Sequence, residues 1–226
     1  EDRQRSPAYA AMVESVDDAI GVLMDAVDEA GVADRTIFIF SSDNGGNMYN
    51  GIRETDKDGQ SFITAPTSNR PLRGGKASMF EGGIRVPTIV IWPGLTKAGS
   101  RSDQLIQTSD FYPTLLNGLG IPLPANHALD GVDIAPALRG GTLKRNAIFT
   151  YFPHSPPVPD WLPPSIALHS GDWKLIRLFH EGENGAHDYR LYNLSGDLGE
   201  ADNLASTHPE RVRRFDRMIE EHLTAA

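Results

Sequence analysis

The sequence predicts an α/β fold: a mostly parallel sheet with flanking helices, followed by a small antiparallel sheet packed with a C-terminal helix. Three observations carry this. A helical pattern over 8–30 leads into a nearly unbroken apolar segment at 36–41. A second such segment occupies 86–92. Beyond Gly140 the apolar segments become short and closely spaced, and a last helical pattern closes the chain over 208–223.

The first helix is predicted by Met12, Val13, Val16, Ile20, Leu23, Met24 and Val27, which fall on one stripe, with acidic residues mostly off it. Gly31 is a natural stop. Thr36-Ile-Phe-Ile-Phe-Ser41 follows after a short polar turn and suits a strand covered on both faces. Helix followed by buried strand is half of a β-α-β unit, hence the parallel sheet. Val86-Pro-Thr-Ile-Val-Ile-Trp92 is the second strand, with its proline near the start, where a missing donor is tolerated. Between them, 43–85 is rich in Gly, Asn, Asp and Arg and reads as one long functional loop. Ser109 to Leu119 is expected to be a short helix with Ser109 as its cap, Pro113 near its first turn and Gly120 at its end.

After Gly140, segments 147–152, 166–169, 173–179 and 189–191 read as short strands, with Gly171-Asp172 as a turn. Such spacing favours hairpins over crossovers. The final helix carries a stripe of Val212, Phe215, Met218, Ile219 and Leu223. A boundary near Gly141 is expected, with 1–141 in the α/β sheet and 142–226 forming the small sheet and helix. Pro153 to Pro164 is proline-dense and reads as an ordered extended loop.

The 226 residues, 39% of them hydrophobic, suffice for a core. The formal net charge of −9 disfavours nucleic acid and anionic lipid as partners. No apolar run approaches the roughly 20 residues that span a bilayer. Cysteine is absent, which excludes a disulfide framework, a thiolate metal site and a cysteine nucleophile. The charged first ten residues do not read as a secretory signal.

Three constellations carry candidate chemistry. Ser41-Ser-Asp-Asn-Gly-Gly46 directly follows a buried strand, where α/β sheets bind ligands. Asp43 and Asn44 offer hard oxygen donors suited to calcium or magnesium, although the same string is also an ordinary turn. Arg70, Arg73, Lys76 and Arg85 gather positive charge in an acidic chain, among glycines whose backbone N–H groups are open to an anion. A solvated loop with a few ion pairs would read the same way. His154 in Tyr151-Phe-Pro-His could contact substrate, or be a surface histidine. No HExxH, GxSxG, Walker or GxGxxG pattern appears in catalytic context.

Taken in order, Ser42 to Gly45, Leu72-Arg-Gly-Gly-Lys76, Glu81-Gly-Gly-Ile-Arg-Val-Pro87 and Gly171-Asp-Trp-Lys-Leu-Ile176 resemble the sulfatase family of the alkaline-phosphatase superfamily. So do Leu191-Tyr-Asn-Leu194, Glu200 to Leu204, Asp110 to Leu116 and Asp130-Gly-Val-Asp133. The resemblance spans nearly the whole chain. It implies the C-terminal part of an alkaline-phosphatase-like fold and sulfuric ester hydrolysis, as in formylglycine-dependent arylsulfatases. It implies Asp43 and Asn44 as calcium ligands, Lys76 as a sulfate-oxygen contact and His154 as a substrate contact. It implies Arg85 and Glu81 as loop scaffold. Implied partners are a sulfate ester, including sulfated carbohydrate, and the N-terminal portion of the same enzyme. The family also implies a periplasmic or secreted setting.

The family's Cys/Ser-x-Pro-x-Arg motif, the source of formylglycine, has no counterpart here. Asn69-Arg-Pro-Leu-Arg73 keeps only Pro-x-Arg. A fragment is therefore expected, inactive alone, with formylglycine and the remaining metal ligands in a missing N-terminal part. Two other readings stay open. One is a phosphodiesterase or phosphonate hydrolase of the superfamily, whose members tend to place Asp-His where this chain has Asp43-Asn44. The other is a non-catalytic relic that binds sulfated glycan.

Overall fold

The computed structural model describes residues 4–155 and 157–225. Residues 1–3 and 226, at the ends of the two expected domains, and 156, in the proline-dense loop, lie outside the described residues. The chain divides into two compact units that interleave in sequence. One comprises 1–23, 42–87 and 149–226; the other comprises 24–41 and 88–148.

Helix α1 (Pro7–Glu29) begins one residue before its expected start. Proline at the first helical position has no N–H to leave unpaired, and the Ser6 hydroxyl caps the turn by accepting the Tyr9 N–H at 3.0 Å. At its far end Gly31, at φ +63°, lets Gly31 N–H and Val32 N–H reach back to Asp28 and Val27. The apolar stripe forms but none of its residues is buried; Met12 is 65% and Leu23 61% exposed.

In the first unit, segment 43–85 is not one loop. It contains a hairpin of β2 (Ile52–Thr55) and β3 (Ser61–Thr64) and one helical turn, α2 (Glu81–Ile84). The Asp56 carboxylate accepts the N–H groups of Asp58 and Gln60, and Gly59 takes φ +80°. Asp58-Gly59 between two β-prone quartets was the available hairpin signal.

The expected small sheet is present as β5 (Ile148–Phe152), β6 (Ser165–Ser170), β7 (Trp173–Leu178) and β8 (Asp188–Asn193), in that spatial order. β7 pairs antiparallel with both β6 and β8. Gly171, at φ +56°, makes the β6–β7 turn, as Gly171-Asp172 foretold. Helix α5 (Pro209–Ala225) buries Val212, Phe215 and Ile219. Its His222 stacks on Phe149 at 4.1 Å between ring centroids, and its Asp216 and Glu220 pair with Arg177 of β7. On one face of the sheet, Ala167, Ile176, Leu178 and Tyr192 form a core with Leu162, Leu194, Met79 and Phe80.

In the second unit, β1 (Phe38–Ser41) pairs with β4 (Thr88–Ile91), and the pairing is antiparallel, with Phe38 opposite Ile91. Parallel neighbours need a crossover that returns the chain to the same end; here the chain re-enters from the opposite end. The two strands are also not covered on both faces: Phe40 is 40% and Ile89 58% exposed. No other strand flanks this pair among the described residues. Helix α3 (Phe111–Gly118) is capped through a preceding 3-10 turn by Gln107 and Asp110 in a reciprocal box, not by Ser109. The fully buried Asp110 also binds Val132 N–H at 2.9 Å and pairs with Arg145, which fixes the 130–134 segment ahead of α4 (Ala135–Leu138).

Candidate active site

All of the predicted site residues lie in the first unit. Asp43 and Asn44 occupy the turn after β1, where Asp43 Oδ1 accepts the Asn44 N–H at 2.9 Å. Asn44 donates its side-chain amide to Gly45 O at 3.0 Å, which leaves its Oδ1 as an acceptor. Asp43 and Lys76 are exposed and Asn44 is partly buried. Lys76 is held by its backbone: its N–H donates to Gly46 O at 3.1 Å, two residues from Asn44. No hydrogen bond or ion pair joins the side chains of these three among the described residues. His154 is exposed on the proline-dense loop, its ring edge-on to Phe152 at 5.3 Å.

Three glycine-rich strings converge here because their backbones touch. Gly45 N–H donates to Gly83 O at 2.9 Å, and Gly82 N–H to Arg73 O at 2.7 Å. A Cβ on Gly45 would stand 1.7 Å from Gly82 O, and one on Gly82 would stand 2.1 Å from Gly74 O. Only glycine permits that approach.

Asn69 stitches the first two strings. Its Oδ1 accepts the Gly46 N–H at 3.1 Å, and its amide nitrogen donates to Gly46 O at 2.9 Å and Gly74 O at 3.1 Å. The residue that spoiled the Cys/Ser-x-Pro-x-Arg match is thus a three-bond clamp. Tyr49 adds a second support, its hydroxyl accepting the Gly75 N–H at 2.8 Å and donating to Asp160 at 3.2 Å.

Behind the glycines lies a buried charge cluster that the sequence reading did not assemble. Glu81, 1% exposed, touches His169 Nε2 at 2.7 Å, Lys174 Nζ at 3.0 Å and Arg85 Nε at 2.6 Å. Lys174, fully buried on β7, also stands 2.7 Å from Glu200 Oε1. Glu200 Oε2 accepts the Glu81 N–H at 2.5 Å, and Arg73 donates to Glu200 O at 3.0 Å while stacking 3.8 Å over the Phe80 ring. Burial raises the Glu81 carboxyl, but its bond to His169, the Lys174 charge and Arg85 outweigh that and hold it well below the usual carboxylate range. Burial pushes Glu200 up, because its main compensation is the shared Lys174. Burial likewise lowers His169, against the pull of its bond to Glu81. The expectation that Glu81 and Arg85 scaffold the loop has this geometry: α2 is anchored to the small sheet, and α2 in turn holds Gly45 and Arg73.

Residues 1–121 match the family model described as Sulfatase, and 75–225 match that of the N-sulphoglucosamine sulphohydrolase C-terminal region. The chain belongs to the sulfatase family. It is 34% identical over 223 residues to a sulfatase of Formosa agariphila, covering 92% of this chain and 37% of that protein. It is 36% identical over 146 residues to human N-acetylgalactosamine-6-sulfatase, covering 63% of this chain and 25% of that one. The crystal structure of Ps i-CgsB in complex with k-i-k-neocarrahexaose superposes with a TM-score of 0.76 at 26% identity, over 94% of this chain and 42% of that one. This sulfatase chain therefore spans well under half the length of these relatives. The fold neighbours support the α/β class. No helix among the described residues is long and apolar enough to cross a membrane.

In sulfatase terms, the two oxygen donors are of the type calcium takes, but they are only two. About six to eight are usual, and among the described residues no group of three or more His, Asp or Glu is placed to hold a metal ion.

Proposed function

We propose that this chain is the C-terminal portion of a sulfatase acting on a sulfate ester of a carbohydrate. In this reading Asp43 and Asn44 provide two of the ligands of a hard cation, calcium or magnesium, whose ligand set is completed by an N-terminal portion that also carries formylglycine. When bound, the cation would add positive charge at the sulfate oxygens. Lys76 would contact one sulfate oxygen, its ammonium offsetting the negative charge that oxygen carries. His154 would touch the substrate from the proline-dense loop. The chain by itself has no nucleophile precursor in the family motif and is expected to give no turnover.

The observation that carries this reading is the bond from Lys76 N–H to Gly46 O, reinforced by Asn69, which ties the Asp43-Asn44 string to the cation-rich one. The exposed stripe of α1 is an apolar face that further sulfatase sequence would cover, and so, taken separately, are the open faces of β1 and β4. The carbohydrate assignment draws on the sugars named for the human relative and the neocarrahexaose complex.

The test is a chimera in which this chain replaces the matching C-terminal part of the Formosa agariphila sulfatase. It should hydrolyse 4-nitrocatechol sulfate with calcium present, and Lys76→Ala should lower kcat/KM at least a hundredfold. The isolated chain should release no sulfate. A correctly folded chimera with no sulfatase activity would overturn the reading.

A further inference from the structure

Trp161 stands 44% exposed in the proline-dense loop, yet its neighbours on both sides are anchored. Leu162 is 9% exposed and packs in the core with Met79, Phe80 and Tyr192. Asp160 accepts the Tyr49 hydroxyl at 3.2 Å and lies 3.8 Å from Arg73 Nε. The Trp161 N–H itself donates to Val158 O at 2.9 Å. The indole therefore projects from fixed backbone.

Its neighbourhood is set by the same bonds. Tyr49 links Asp160 to the Gly75 N–H, one residue before Lys76, and Arg73 lies on that same string. A large aromatic held open to water beside a cation-bearing loop gains by being covered. It also offers broad contact area at the cost of only two side-chain torsions. The occupant must carry an anion for Lys76 and present a flat C–H face to the indole. A pyranose ring bearing or adjoining a sulfate does both.

We propose that Trp161 is a specificity-determining residue that stacks on a sugar ring of the substrate, and that Asp160 and Tyr49 are positioning residues holding it beside Lys76. This rests on the sulfatase reading above. The chimera separates the two. Trp161→Ala should weaken binding of carrageenan or chondroitin 6-sulfate hexasaccharides at least tenfold by calorimetry, while kcat/KM on 4-nitrocatechol sulfate changes less than threefold. Trp161→Phe should keep oligosaccharide affinity within threefold. Asp160→Ala should weaken it more than Asp160→Asn, which retains an acceptor for Tyr49. If neither oligosaccharide binds the unsubstituted chimera more tightly than Trp161→Ala, the stacking proposal falls while aryl-sulfate turnover stands. If aryl-sulfate turnover is itself absent, the functional reading falls, and calorimetry still decides the stacking.

Discussion

Replacing Lys174 by methionine tests the buried charge cluster most directly. The ammonium is fully buried between two carboxylates, at 3.0 Å from Glu81 and 2.7 Å from Glu200. Glu81 would keep Arg85 and His169. Glu200 would keep chiefly one backbone N–H, from Glu81. Orphaning a buried charge costs about 3–5 kcal/mol, but the protein can protonate Glu200 instead. From an ordinary value of 4.5, protonation at pH 7 costs about 3.4 kcal/mol, at about 1.36 kcal/mol per pH unit. We expect urea unfolding followed by circular dichroism to show a loss of about 3 kcal/mol at pH 7, shrinking to about 1 kcal/mol at pH 5. Adding Glu200→Gln to Lys174→Met should recover most of the loss at pH 7. A defect that is independent of pH and unrelieved by Glu200→Gln would refute the assignment of Glu200 as the stranded partner.

Three further outcomes follow from the structure. Gly45→Ala puts a Cβ 1.7 Å from Gly82 O and should lower stability by about 1–3 kcal/mol in thermal unfolding. Gly21→Ala, inside α1 with nothing within 4 Å, should raise it by up to about 1 kcal/mol. In the unsubstituted chain, Glu81 is held below its ordinary 4.5, so the unfolded state binds more protons below that pH. Its contribution is present above 4.5 and lost as pH falls below it. The urea midpoint should drop in that range, and Glu81→Gln should flatten the drop.

Elements whose side chains repeat with a period were legible in the sequence. The small sheet and α5 stand within two residues of their expected bounds, because alternation and the 3.6-residue stripe are local properties. The hairpin at 52–64 was overlooked because its strands are only four residues long, and its one clear signal is Asp58-Gly59. The direction in which β1 and β4 pair was not legible for another reason. Buried-looking apolar runs at 36–41 and 86–92 say that a strand is covered, but not by which partner or in which direction. Asp43, Asn44 and Lys76 could be named from motif strings, whereas the contacts that hold them could not. Asn69, Tyr49, Lys174 and Glu200 have no common spacing. One signal was there: Lys174 shares a strand face with Ile176 and Leu178, and a lysine on an apolar face requires a buried partner.

The glycines that let the three strings meet also remove the side chains that would ordinarily hold a loop still. Order must then come from outside the strings. Asn69 and Tyr49 provide it through hydrogen bonds to Gly46, Gly74 and Gly75. Glu81 provides it through ions, since its own backbone belongs to the turn that carries Gly82 and Gly83, which bond to Arg73 and Gly45. A neutral residue at 81 could fill the space but would not engage Lys174, His169 and Arg85 together. Such a cluster adds little net stability compared with apolar packing, and breaking it is costly. That asymmetry suits a scaffold whose purpose is to fix position: moving the Glu81 turn, and with it Arg73 and Gly45, away from the small sheet would strand a buried charge.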